Sequence, residues 1–171
     1  AGGEAHSYQF SLAAGQYAQV VVDQRRINAA VTVYDPAGEK LVDADMFRTG
    51  DPELVSLFSD ASATYRIEVR AVDAAAARGS YEIRIAELRL ATEQDKSAVA
   101  AERLVAEAVL LETRLTADTF RQAIDKYQQS IPLWQTAKNQ VWEARALCLM
   151  WGAYISLGEN QKAFDFSNQA V

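Results

Sequence analysis

The hydrophobic periodicity of this chain changes once, near residue 90, and that change limits the folds available to it. Before it, apolar and polar residues alternate, so that in "YRIEVRA" Tyr65, Ile67 and Val69 would share one face. After it, apolar residues recur at every third or fourth position. A period of two is typical of half-buried strands and a period of 3.6 of helices. We therefore predict two domains, all-β over residues 1–90 and all-α over residues 91–171.

The first domain has the pattern of short antiparallel strands separated by turns. Turn signals rich in Gly, Pro and Asp, such as "DPAG" and "ARGS", divide the alternating runs. Closely spaced strands with no helix between them favour an antiparallel β-sandwich of jelly-roll-like type. We predict seven strands, at residues 5–12, 16–23, 27–34, 39–43, 53–58, 63–72 and 79–88.

The second domain has apolar stripes at the spacing of amphipathic helices. Asn139 is suited to cap the start of the third helix, and Gly158 is suited to end it. Pro132 would lie inside the second helix, where it removes one backbone hydrogen bond. We predict four helices, at residues 93–114, 118–136, 140–157 and 160–170.

Composition and charge exclude several classes of partner. The net charge is −6 and both halves are acidic, so no basic stripe is available to neutralise phosphates, and we expect no nucleic-acid partner. No apolar run has the length needed to span a bilayer, and "AGGEAHSY" lacks the features of a signal peptide. The chain is expected to be either cytosolic or a trimmed, mature fragment.

The residues of catalytic sites are scarce in this sequence. His6 is the only histidine and Cys148 the only cysteine, and they belong to different predicted domains. Nucleophilic catalysis needs a base of suitable pKa beside the nucleophile, and no phosphate-binding, dinucleotide or zinc-protease motif is present. Cys148 lies in the apolar run "ALCLMW", which predicts a small buried side chain. We expect a protein that is not an enzyme and that needs no cofactor.

Two ligand-binding alternatives remain for the β domain. Asp43, Asp45 and Asp51 cluster in "VDADMFRTGDPE", where carboxylates could hold calcium, although the same residues serve ordinary turns. Sugar-binding surfaces favour exposed aromatic residues, but all three tryptophans lie in the helical half. Tyr34 and Phe47 are the remaining candidates for exposed aromatic residues near loops.

The helical half contains an internal sequence repeat. "FRQAIDKYQQSI" at 120–131 aligns with "NQKAFDFSNQAV" at 160–171, which indicates stacked helical hairpins. This half resembles the tetratricopeptide repeat family, whose pattern is W-x2-L-G-x2-Y followed by A-x3-F. The resemblance implies one full hairpin over residues 140–170. It also implies structural roles for Ala123, Tyr127, Leu147, Tyr154, Gly158, Ala163 and Ala170.

In this family the first helix of each hairpin leaves one face open to peptides. By that pattern Arg145, Cys148, Leu149, Gly152, Ile155 and Ser156 would point toward a peptide. Trp151 stands where the family has a small residue, which marks it as a further candidate. The partner-binding residues that we predict are Arg145, Leu149, Trp151 and Ile155. Packing against the β domain or against a further repeat is the alternative role for this surface.

Residues 5–88 are similar to the pre-peptidase C-terminal type of bacterial β-sandwich. The similarity rests on "YQFSLAAGQYAQVVV", "AVTVYDPAGEKL" and "ATYRIEVRA". A sandwich of this type followed by helical repeats resembles large bacterial proteins in which a caspase-like peptidase domain follows the repeats. The resemblance implies an N-terminal, non-catalytic fragment and a location outside the cytoplasm.

These observations lead to one expected function and two alternatives. We expect a scaffold that binds a protein or a peptide through helical faces, with homodimerisation through the terminal helices. The alternatives are a carbohydrate- or calcium-binding β module and a regulatory segment of a downstream protease.

Overall fold

The computed structural model describes residues 4–45, 51–72 and 79–167, and it contains strands followed by helices. The chain divides into two compact units, Ala1–Thr92 and Glu93–Val171. The strands are β1 (Ala5–Leu12), β2 (Gln16–Arg25), β3 (Ala29–Tyr34), β4 (Lys40–Ala44), β5 (Glu53–Phe58), β6 (Ala63–Ala71) and β7 (Ser80–Leu90). The helices are α1 (Glu93–Glu112), α2 (Ala117–Thr136), α3 (Gln140–Ser156) and α4 (Asn160–Ser167).

The strands form two antiparallel sheets. One sheet has four strands in the order β1-β6-β3-β4, and the other has three in the order β5-β2-β7. Every pair of neighbouring strands is antiparallel. The prediction of an antiparallel β region followed by a helical region is therefore confirmed.

Strand alternation decides which side chains enter the core of the first unit. On β6, Tyr65, Ile67 and Val69 are buried, whereas Arg66 and Glu68 between them are partly exposed. The inner strands β2 and β3 are buried along most of their length, whereas β6, which is also paired on both edges, is buried only at alternate residues. At one edge the two sheets contact each other, because Tyr8 and His6 of β1 reach Tyr81 of β7.

Strand β7 contains an irregularity that keeps its apolar residues on one face. Val20 of β2 is paired with Ile85, and the adjacent Gln19 is paired with Glu87, so Ala86 is an extra residue in β7. Without this bulge, Leu88 would lie on the opposite face from Ile85, because side chains alternate along a strand. The bulge therefore brings Leu88 and Leu90 to the side of Ile85, although all three remain exposed at the sheet edge.

The turn between β1 and β2 joins three parts of the first unit. Gly15, which adopts a positive φ of 76°, donates its backbone N–H to the Ser59 carbonyl at 2.7 Å. The Gly15 carbonyl in turn accepts the N–H of Ala91 at 2.8 Å, just beyond β7. The end of β7 and the segment after β5 are therefore both fastened to this one turn.

The helices of the second unit pack in sequence order: α1 contacts α2, α2 contacts α3, and α3 contacts α4. Their core contains Tyr127 and Trp134 of α2 and Met150 of α3, none of which is accessible to solvent. The Trp134 ring stacks on the ring of Trp142 with centroids 5.5 Å apart. This unit therefore has a core of its own, in which these large side chains pack among buried alanines and valines.

The helix ends follow local sequence signals. The Asn139 side chain accepts the backbone N–H of Trp142, so Asn139 caps α3 as predicted. Thr116 and Thr119 form a reciprocal capping box at the start of α2. Gly158 follows the end of α3 with a φ of +73°, and Pro132 lies inside α2 as the sequence predicts.

Among the described residues, none of the helices combines the length and the apolar character that spanning a bilayer requires.

Candidate interaction surface on the third helix

One face of α3 belongs to the core of the helical unit. Ala146, Met150, Ala153 and Tyr154 are buried and recur at helical spacing. Because α3 lies against both α2 and α4, this face is covered from two sides. The small residues Ala146 and Ala153 allow neighbouring helices to approach closely, whereas Met150 and Tyr154 provide the buried volume.

The opposite face of α3 is also apolar, and it is exposed. Val141 is 79% exposed, Trp151 46% and Ile155 42%, and Ala144 and Cys148 are exposed between them. At 3.6 residues per turn, these five residues lie about 160° around the helix from the buried face. We call this set of five residues, Val141, Ala144, Cys148, Trp151 and Ile155, the α3 seam.

The spacing of the α3 seam alternates between three and four residues along its whole length. That spacing matches the narrow apolar stripe through which one helix packs along another. A helix that is apolar on all sides is normally enclosed in a core. The exposure of one such side on α3 therefore indicates a surface that has room for another helix.

The charged residues of α3 lie outside the seam. Only Glu143 and Arg145 within Gln140–Ser156 carry charge. Glu143 accepts a hydrogen bond from the Gln135 side chain at 2.7 Å, on the α2 side. The Arg145 guanidinium lies over the Trp142 ring, 5.1 Å from its centroid. The seam itself is thus uncharged, and Arg145 follows Ala144 of the seam directly in the sequence.

The predicted partner-binding residues divide into two groups. Trp151 and Ile155 lie in the seam and are exposed, whereas Arg145 and Leu149 are only partly exposed beside it. The prediction that Cys148 is a small buried residue is wrong, because its side chain is exposed. An apolar run does not distinguish a helix with one covered face from a helix enclosed on all sides, and this is the reason for the error.

Sequence reasoning missed Val141 and Ala144 as members of this surface. The signal was present, because these residues continue the spacing of Cys148, Trp151 and Ile155 toward the start of α3.

The residues with predicted structural roles mostly lie where helices touch. Ala123 and Ala163 have no exposed surface, and Tyr127 and Tyr154 are buried. Leu147 is half-buried, and Gly158 ends α3. Ala170 lies outside the described residues.

Tyr127 forms the main polar contact of the helical core. Its hydroxyl donates to Glu112 Oε1 at 3.2 Å. Burial raises the pKa of Glu112 above its usual range, and the hydrogen bond from Tyr127 lowers it in part. The pKa of Tyr127 is raised strongly by burial and by the nearby Glu112 charge, so its hydroxyl is a permanent donor.

Asp43 is surrounded by donors and cations. It accepts hydrogen bonds from Thr32 and Lys40 at 2.9 and 2.8 Å, and Arg70 lies 3.7 Å away. Burial alone would raise the pKa of Asp43, but these hydrogen bonds and the charges of Lys40 and Arg70 together lower it. The charge of the Asp43 carboxylate is therefore neutralised by Lys40 and Arg70 of the protein itself.

The remaining members of the predicted calcium site also have other contacts. The Asp45 carboxylate accepts the Asn28 side-chain amide at 3.3 Å, and the Asp51 carbonyl accepts the Gln24 side-chain amide at 2.8 Å. Within residues 4–45, 51–72 and 79–167, no three His, Cys, Asp or Glu side chains are grouped so that they could hold a metal ion.

His6 belongs to a small exposed cluster at the edge where β1 meets β7. Its Nδ1 and the Tyr8 hydroxyl each lie 2.7 Å from the Tyr81 hydroxyl. Burial, followed by the contact with Tyr8, raises the pKa of Tyr81. Tyr81 therefore stays protonated at neutral pH and acts as a hydrogen-bonding group in this cluster.

Of the two candidate sugar-stacking aromatic residues, Tyr34 is partly buried at the end of β3. The Arg66 guanidinium covers one face of Tyr34 at 3.6 Å from the ring centroid. Phe47 lies outside the described residues.

Comparison with known proteins adds no relative: neither the models of protein families nor the curated proteins give a match to this sequence.

Proposed function

We propose that this protein is a non-catalytic interaction scaffold whose α3 seam binds a helical segment of a protein partner. The proposal rests on one observation: α3 has two apolar faces, of which one is buried and the other is exposed. Contiguous exposed apolar surface on a folded domain marks interaction sites. A helical partner fits best because the seam has the spacing of helix-on-helix packing.

We further propose that the four helices are tetratricopeptide-like hairpins. Three observations support this assignment: the sequential packing of the helices, the complete burial of Ala123 and Ala163, and the positive φ of Gly158. In that architecture the seam lies on the first helix of a hairpin, which is the helix that such repeats use for recognition.

For the first unit we propose a β-sandwich of the pre-peptidase type. Contacts of Tyr8 and His6 with Tyr81 join the two sheets at one edge, and both sheets contribute fully buried valines. Its place before helical hairpins is compatible with the regulatory segment of a longer protease located outside the cytoplasm, which remains a prediction from the resemblance.

The chemistry of the seam defines the partner. Trp151 is the largest exposed apolar residue of α3, and buried tryptophans are frequent binding hot spots. The absence of charge from the seam favours an apolar stripe on the partner.

Selection from a library of helical peptides against the full chain tests the proposed function. Each selected peptide is then measured by titration against Trp151→Glu, Ile155→Glu and a control, Leu110→Glu. Leu110 is a suitable control because it is 46% exposed, the same fraction as Trp151, but lies on α1. We expect at least a tenfold loss of affinity in both seam variants and none in the control.

The contrary result would be selected peptides that bind the two seam variants as tightly as the unaltered chain. A second contrary result would be calcium or glycan binding at low micromolar affinity that Asp43→Asn and Asp45→Asn abolish. That outcome would favour the ligand-binding alternative, which the contacts of Asp43 with Lys40 and Arg70 oppose.

A further inference from the structure

We infer that the helix bound by the α3 seam is the α3 seam of a second copy of this chain, antiparallel to the first, with the two-fold axis at Cys148. This inference rests on the proposed function and names the partner for the same surface.

The seam is symmetric in its spacing to within one position. Cys148 lies at its centre, with residues at four and seven positions on one side and at three and seven on the other. An antiparallel pair centred near Cys148 therefore places Val141 opposite Ile155 of the second copy, and Ala144 within one helical position, about 1.5 Å, of Trp151 of the second copy. Cys148 of each copy then faces its own counterpart.

The sizes of the paired side chains are complementary in this arrangement. The smallest seam residue, Ala144, meets the largest, Trp151 of the second copy, and this pairing occurs twice by symmetry. A parallel, in-register pair would instead set tryptophan against tryptophan and alanine against alanine. The two helices would then be held apart at one layer and leave a gap at the other, which costs packing energy.

The helix dipoles also favour the antiparallel arrangement over the parallel one. The positive end of each helix dipole lies beside the negative end of the other, whereas a parallel pair places like ends together. No seam residue is charged, so the pair buries no unpaired ion. Arg145 borders the seam but already lies over Trp142 of its own chain.

The area of the seam sets the expected strength of the dimer. Trp151 at 46% exposure offers roughly 100 Å² of surface. The five seam residues together offer on the order of 400 Å² per copy, within the range of functional patches on monomers. With the bordering residues, the dimer would bury about 1,000–1,200 Å² in total, at the lower end for specific complexes. We therefore expect a reversible dimer with a dissociation constant in the micromolar range.

The single cysteine of the chain allows a direct test of the axis. A disulfide needs Cα atoms about 4.4–6.8 Å apart, a distance that is available at the two-fold axis of close-packed helices. Mild oxidation of the full chain should give a covalent dimer through Cys148 on a non-reducing gel. Cys148→Ser should abolish it.

The control moves the thiol away from the axis. In Ala144→Cys combined with Cys148→Ser, the two thiols lie about 12 Å apart along the antiparallel helices, since they are separated by eight helical positions. We expect no cross-link in this double variant. A parallel, in-register pair would cross-link at both positions, so a cross-link in the double variant would overturn the antiparallel inference.

Sedimentation equilibrium measures the same association without a covalent bond. Trp151→Glu should raise the dissociation constant of the dimer at least tenfold over that of the unaltered chain, so that the monomer predominates. Leu110→Glu should leave the dissociation constant unchanged. Both residues are exposed, and circular dichroism verifies that each variant is folded. A chain that stays monomeric up to about 1 mM, far above a micromolar constant, would overturn the inference.

Failure of this inference can be distinguished from failure of the proposed function. A monomeric chain that still binds selected helical peptides through Trp151 would exclude self-pairing and support the scaffold. A dimer that persists in both Trp151→Glu and Ile155→Glu would exclude the seam as its interface.

Discussion

At the scale of single residues, the contact between Tyr127 and Glu112 shows how the helical core tolerates a carboxylate. Glu112 lies at the end of α1 and is partly buried, and the Tyr127 hydroxyl is the donor that compensates for part of its lost hydration. Burial is the dominant influence, and the pKa of Glu112 lies above its ordinary value of 4.5. The native state therefore holds this proton more tightly than the unfolded chain does.

This pKa shift predicts that Glu112→Gln stabilises the protein at neutral pH. Between the two pKa values of Glu112 the native state binds the additional proton, so the free energy of unfolding falls as pH rises through that window. Gln keeps an acceptor for Tyr127 without the charge. We expect a gain below about 1 kcal/mol at pH 7, because the site is partly solvated, and a smaller difference below pH 4.

Urea unfolding followed by tryptophan fluorescence between pH 4 and 8 measures this effect. Glu107→Gln is the matched control, because Glu107 is an exposed residue of the same helix that pairs with Lys126. This control should be slightly less stable than the unaltered chain. Lower stability of Glu112→Gln at pH 7 would contradict the prediction.

At the scale of elements, α3 and the turn after it contain two glycines that differ in backbone conformation. Gly152 lies inside α3, and Gly158 follows its end with a φ of +73°. A Cβ built at either position meets none of the described atoms within 4 Å. Differences between their alanine variants will therefore reflect the backbone rather than steric contacts.

We predict opposite effects for alanine at these two glycines. Gly152→Ala should stabilise the chain by about 0.5–1 kcal/mol, because alanine loses less conformational freedom in a helix. Gly158→Ala should destabilise it by about 1–2 kcal/mol, because an L residue with a Cβ is strained in the left-handed region. Thermal unfolding followed by circular dichroism at 222 nm measures both, and the same sign for both variants would contradict the argument.

The element boundaries were largely predictable from the sequence, because each depends on local signals. The predicted start of α3 followed from Asn139, and the strands followed from alternation and turn residues. Strand β7 was predicted less completely. Its apolar residues change phase at Ala86, and a bulge that restores them to one face becomes visible only when β2 is paired beside it.

The surface on α3 was only partly predictable, for a different physical reason. Trp151 and Ile155 were identified, whereas Cys148 was predicted to be buried from its apolar run and to be exposed from the repeat pattern. Apolar residues on two faces of one helix indicate burial on both faces unless the positions of neighbouring helices are known. Here α2 and α4 cover one face, and the packing of these elements decides which one.

At the scale of the whole molecule, the charge distribution limits the partners. The net charge is −6 and the isoelectric point is near 4.8. Many of the exposed cations are paired with carboxylates, as Arg25 is with Glu82 and Arg121 with Asp118. Such pairing reduces the positive potential that a polyanion would meet.

We therefore predict no binding to duplex DNA or RNA at physiological salt. Non-specific nucleic-acid binders have dissociation constants of about 10⁻⁴–10⁻⁶ M under these conditions, because their cations displace counterions from phosphates. Fluorescence anisotropy of a labelled duplex should stay constant up to about 100 µM protein, which covers that range. A basic DNA-binding domain serves as the positive control, and a salt-dependent rise with this chain would contradict the prediction.

The turn at Gly15 also has a mechanical consequence. A pulling force on the chain beyond Thr92 would enter the first unit at Ala91, whose N–H is bonded to the Gly15 carbonyl. Gly15 passes part of that load to Ser59 through its own N–H, and Gln16 beside it is paired with Leu90. Tension would therefore be shared between the β2–β7 ladder and the segment after β5 before any strand separates. We therefore expect this turn to be the first part of the β unit to carry such a force.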